Sequence, residues 1–205
     1  MEFTGRESYS ITLTEFTIAF VPFGLLLAAA LLAPETTLEF GFYRTVYTIW
    51  ATTALVTPAM CAFALPGNSD RQRNIWLLFW SFSFACYLVH MSYAVFSVYH
   101  GSVQEFLKGQ GMFAAVSNVI FTLWWAGDVC LAWFNRSGAR WVWVQRVAAH
   151  IYIGLTFVAS TVFLKHGFIN VLGILFTASV LICLMARFDA RRRAPLATGK
   201  GFGGA

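Results

Sequence analysis

Charge is what this sequence has least of. Asp, Glu, Lys and Arg make up 11% of its 205 residues, against about 25% in an ordinary soluble domain. A mean hydropathy of +0.67 accompanies that deficit. Together they exclude a water-soluble globular chain and make lipid the solvent for every later argument. Cysteine is also scarce. The four (Cys61, Cys86, Cys130 and Cys183) all fall inside apolar runs, and none forms a C-x-x-C pair. That excludes a disulfide or zinc framework and reads them as small buried hydrophobes. The chain contains no H-E-x-x-H, Walker A, D-x-x-D or G-x-S-x-G motif, so the enzyme classes those mark are set aside. No internal repeat of fixed period is present. The chain is not expected to be catalytic on its own.

Apolar length is what is there instead. Six runs are long enough to cross a bilayer at about 20 residues each, approximately 11–33, 42–65, 75–99, 113–134, 142–164 and 168–187. The sequence predicts an all-α, polytopic bundle of six transmembrane helices over 1–187. A basic, Gly-rich tail follows over 188–205. The connections, such as "PGNSDRQRN" and "NRSGARW", are short and punctuated by Gly and Pro, with no room for a soluble domain. The region before "FGLLLAAALLAPE" carries Glu2, Glu7 and Glu15 against Arg6. A secretory signal needs a positive start, so this segment is expected to be a retained span.

The net charge of +5 does not point to nucleic acid. Its basic residues concentrate in one alternate set of segments: Arg6, Arg71 and Arg73, Arg136 and Arg140, and the tail. The positive-inside rule therefore predicts both termini in the cytoplasm; the expected location is a bacterial inner membrane. Membrane lipid and other membrane-protein subunits are the expected partners. A glycosylation sequon at Asn135 lies on that same side and carries little weight.

Ionisable residues inside spans are costly and normally face the bundle interior. Arg146 and His150 are four apart and share a helix face. Asp128, and Glu15 on the first span, can reach the same depth. An inner polar cluster of Glu15, Asp128, Arg146 and His150 is expected. It reads either as an ion pair that docks spans one, four and five, or as a quinone or proton site. His90 lies about 22 Å into the third span, with Ser83, Tyr87 and Tyr93 near it. A bis-histidine haem b needs both imidazoles at one depth on facing helices. By run boundaries, span five offers Phe157 and Val158 at the level of His90. Span three offers Ser83 at the level of His150. Of the four histidines, His100 and His166 match in depth, at the water interface.

The stretch "WATTALVTPAMCAFALPGNSDRQRNIWLLFWSFSFACYLVHMSYAVF" resembles the ferric reductase-like transmembrane family, in particular small haem-binding membrane subunits of the bacterial methionine-sulfoxide reductase type. The features that carry the resemblance are Thr57-Pro58, the basic loop with Arg71 and Arg73, and His90 followed by Tyr93, one place early for that family's H-x-x-x-Y. The start of span five, "RWVWVQRVAAHIY", places His150 near the family's next haem-bearing position. The family's further histidine, about 13 residues on, falls here at Phe163, with His166 next. The resemblance implies a b-type haem or a quinone, held among His90, His100, His150 and His166, in an electron-transfer subunit. The reading from composition and organisation is a structural or anchoring component of a larger membrane complex. Both readings stand on the sequence alone.

Overall fold

The computed structural model describes residues 10–34, 41–67, 69–135 and 139–198, with backbone alone for 194–198. Arg6, Glu35, Glu39, Arg136, the sequon serine Ser137 and residues 199–205 lie outside the described residues. The protein is an all-α bundle, and among the described residues there is no strand. The helices are α1 (Leu13–Leu32), α2 (Phe42–Ala64), α3 (Asp70–Ser92), α4 (Val103–Gln110), α5 (Met112–Phe134), α6 (Arg140–Val158) and α7 (Phe168–Thr198). Two of them continue as π-helical turns, α3 through Tyr93–Val98 and α6 through Ala159–Phe163. Six of these units are long and apolar enough to cross a membrane, all but the short α4.

Local chemistry explains the ends. Thr12 and Glu15 form a capping box at the start of α1, which satisfies backbone N–H groups that have no helical partner. Ser69 caps α3 by accepting from the Gln72 N–H at 3.2 Å. Gly41 opens α2 at φ 97°, and a Cβ there would collide with Ser97. Only glycine fits both conditions.

α2 and α3 form the centre. In each, 44% of the spanning window is buried, against 17% in α1 and α7. Thr48, Ala51, Thr52, Leu55, Val56 and Ala59 form the buried stripe of α2 at helical spacing. The threonine hydroxyls bond back to carbonyls four residues earlier, as Thr52 does to Thr48 at 2.8 Å and Thr53 to Ile49 at 2.8 Å. They can therefore be buried without a partner on another helix. α1 packs on α2 and α3, α5 on α3 and α6, and α7 on α2 and the π-turn of α6. Gly173 of α7 lies so close to Thr161 in that turn that a Cβ would clash with its side chain. Asn170 donates to the Val162 carbonyl at 2.8 Å, satisfying backbone that the π-turn frees.

Three boundaries depart from the sequence expectation. α3 begins at Asp70, five residues before its apolar run, because Ser69 caps it and Asp70 sits in its first turn. α4 lies inside the expected loop 102–112, capped by Ser102, which accepts from the Glu105 N–H at 3.2 Å. α7 continues eleven residues into the expected tail, to Thr198, supported by the Arg193–Asp189 pair at 2.6 Å. At about 1.5 Å per residue its 31 residues reach about 46 Å, longer than a hydrocarbon core of about 30 Å. The cysteines also depart: Cys86 is buried, but Cys61 and Cys183 are half-buried and Cys130 is exposed on α5.

Candidate functional site

α3, α5 and α6 bring five side chains into one closed ring of contacts. Trp76 and Trp80 are one turn apart on α3, and Arg146 and His150 are one turn apart on α6. Trp76 lies six residues inside the start of α3, Arg146 six inside the start of α6, and Asp128 six inside the end of α5. Equal distances from the same face place all three at one depth, about 9 Å in.

The contacts close as follows. The Trp76 indole N–H donates to Nε2 of His150 at 2.9 Å. His150 Nδ1 lies 2.8 Å from the Arg146 carbonyl oxygen. A carbonyl only accepts, so Nδ1 carries the proton, and His150 is the neutral Nδ1–H tautomer. Its ring is stacked between Phe63, at 3.9 Å, and Trp80, at 4.1 Å. The Trp80 N–H donates to Oδ2 of Asp128 at 2.9 Å. Asp128 Oδ1 lies 3.7 Å from Nε of Arg146, an ion contact and not a hydrogen bond. The Arg146 guanidinium in turn sits 4.7 Å from the Trp76 ring centre, a cation–π position. Asp128 is fully buried and His150 nearly so.

The structure thus brings Asp128, Arg146 and His150 together. Glu15 is held elsewhere: its Oε2 accepts from the Thr12 N–H at 2.9 Å and from Asn74 Nδ2 at 3.0 Å. The expected four-membered cluster is corrected to three, because the carboxylate of Glu15 is consumed by its own helix end and by Asn74. Trp76 and Trp80 complete the ring and escaped the sequence reading. The signal for them was depth. Counting from the helix starts at Asp70 and Arg140, and not from the apolar runs, puts Trp80 at the level of His150, where Ser83 had been expected.

The remaining histidines are apart from this ring. His90, half-buried, has Nδ1 2.8 Å from the Thr45 carbonyl oxygen on α2, and its ring lies 5.9 Å from Tyr87. Ser83 turns away, donating to the Trp80 carbonyl at 3.1 Å, and Tyr87 pairs with Thr122 at 3.1 Å. His100 is exposed, in a turn at φ 49°, and His166 is exposed between α6 and α7. Among the described residues no group of three or more His, Cys, Asp or Glu is placed to hold a metal ion. Beside the polar ring a cleft of about 600 Å³ opens between α2, α6 and α7, with Trp76, Arg146 and His150 on its wall.

Compared with known proteins, the chain matches no family model, no curated protein and no solved structure. The geometry of these sites carries the functional argument by itself.

Proposed function

We propose that this six-span protein is a structural or anchoring subunit of a larger membrane complex, with no catalytic step of its own. It would sit in a bacterial inner membrane with both termini cytoplasmic. One observation supports this most directly: both ring nitrogens of His150 are spent on bonds within the bundle. An imidazole so engaged has no lone pair for a metal, and its neutral, sandwiched ring docks α6 against α2 and α3. Asp128 and Arg146 use their charges in the same way, across α5 and α6. Buried polar groups that are partnered within the fold specify how helices pair in lipid, where hydrophobicity cannot.

A second reading rests on His90. Its Nδ1–H bond to a carbonyl leaves Nε2 without a hydrogen-bond partner among the described residues, which is how ligating imidazoles are usually oriented. The resemblance to ferric reductase-like subunits falls on the same residue, and a b-type haem or quinone would make the protein an electron carrier. An absorption spectrum of the protein purified from its native membrane separates the readings. The structural reading expects no Soret band, and co-migration with partner subunits on native gels. A Soret band with dithionite-shifted α and β bands, lost in His90→Ala, would replace it with the electron-transfer reading.

A further inference from the structure

The cleft between α2, α6 and α7 is charged at one end and hydrocarbon along its length. Arg73, Arg146, Arg187 and Arg191 line it near the ends of the helices, and among the described residues no carboxylate is on its wall. Arg73 and Arg146 have acidic partners outside the cleft, Asp70 at 2.7 Å and Asp128 at 3.7 Å. Arg187 instead donates from Nη1 to the Phe63 carbonyl at 3.3 Å, in the last turn of α2. That bond fixes the guanidinium at a helix end that favours a cation. A guanidinium has five N–H donors, so most remain for a ligand. Arg191 follows one turn later, and like charges at that spacing repel.

Beyond the arginines the wall is apolar, with Ile151, Leu155, Val158, Phe176 and Leu181 among its residues. From Arg146 to Val158 is about 18 Å along α6, and from Arg191 to Phe176 about 22 Å along α7. Half of a core of about 30 Å plus a headgroup layer has that depth. The volume, about 600 Å³, falls within the range of about 300–1,000 Å³ usual for small-molecule sites.

We propose that this cleft holds one anionic phospholipid of the surrounding leaflet, its phosphate at Arg187 and Arg191 and one acyl chain between α6 and α7. The two halves of the cleft select it jointly. A neutral quinone head leaves the arginine charges uncompensated. A free phosphate leaves the apolar length unfilled. A zwitterionic lipid brings its own cation to a site that already has four. Basic pockets between spans are where anionic headgroups bind in membranes.

Native mass spectrometry of the delipidated full-length protein in neutral detergent tests this. The probes are phosphatidylglycerol and phosphatidylcholine with identical acyl chains. Phosphatidylglycerol should occupy one site well before phosphatidylcholine does. Arg187→Gln/Arg191→Gln should weaken phosphatidylglycerol binding at least about tenfold and leave phosphatidylcholine unchanged. Leu181→Trp, which keeps every arginine and fills the apolar part, should also reduce phosphatidylglycerol occupancy. Equal retention of both lipids by the unaltered protein would overturn the proposal. Unchanged binding in Leu181→Trp would overturn its acyl-chain half. Displacement of phosphatidylglycerol by inorganic phosphate would reassign the cleft as a simple anion site, and displacement by ubiquinone as a quinone site.

Discussion

A tryptophan near the end of an apolar run is ordinarily an anchor at the membrane surface. Trp76 and Trp80 are neither exposed nor interfacial in role: both are buried, and their N–H groups are committed to His150 and Asp128. The ionisable members of the ring were legible in the sequence because charge inside an apolar run is rare. The indoles were not, because tryptophan is common there and its partner is a matter of depth. Asp128 gives the sharpest residue-scale expectation. Asp128→Ala leaves Arg146 without its counter-charge and the Trp80 N–H without its acceptor. It should destabilise the protein by about 3–5 kcal/mol, and Asp128→Ala/Arg146→Ala should recover part of that loss. Unfolding of both single variants and the double variant in mixed micelles measures this, and a double loss equal to the sum of the two single losses would mean that the charges do not interact. His90→Ala should cost about 1–3 kcal/mol through the lost bond to the Thr45 carbonyl and the space left beside it, with no spectral change on the structural reading.

At the scale of elements, the two π-turns lie at the ends of α3 and α6 opposite to the polar ring. The turn on α6 is where α7 docks most closely, Gly173 against Thr161, with Asn170 capping the freed backbone. Gly173→Val should push α7 off that turn and destabilise by about 1–3 kcal/mol, an overpacking cost. Gly127 on α5 faces open space, so Gly127→Ala should be neutral or slightly stabilising. Thermal unfolding of the two variants compares them directly, and equal effects would mean that the α6–α7 contact is not close-packed. The register error in α3 also belongs to this scale. "DRQRN" is polar and was counted as loop, yet a capping serine and a first-turn aspartate start a helix whatever the hydropathy. That shift of five residues, less the two by which α6 starts before its own apolar run, moved Ser83 out of, and Trp80 into, the level of His150.

For the whole molecule, six spans and short connections force consecutive spans to alternate in direction. Reporter fusions after Ala205 and within 102–112 should therefore report opposite sides of the membrane, the first cytoplasmic. Reports from the same side would break the six-span topology. The extended α7 carries Arg191, Arg192 and Arg193 beyond the expected end of its span. On the expected orientation this projects a basic helix into the cytoplasm, beside the arginine end of the cleft. An anionic leaflet surface would attract it, and the attraction would fall with salt.

Number of spans, helical class and the presence of an inner ion pair follow from the sequence itself. Each depends on a one-dimensional quantity: apolar length against bilayer thickness, and the cost of unpaired charge in lipid. Which groups meet was decided by tertiary structure. Glu15 and Asp128 are both carboxylates near the same face, and hydropathy treats them alike. Only the packing of α1 on α3 gives Glu15 to Asn74, and only the shared depth of α3, α5 and α6 gives Asp128 to Trp80 and Arg146. The cleft is wholly a tertiary feature. Its arginines come from α3, α6 and α7, far apart in the chain, and its hydrocarbon wall exists because α6 and α7 meet closely at the π-turn and leave space between them at the other end.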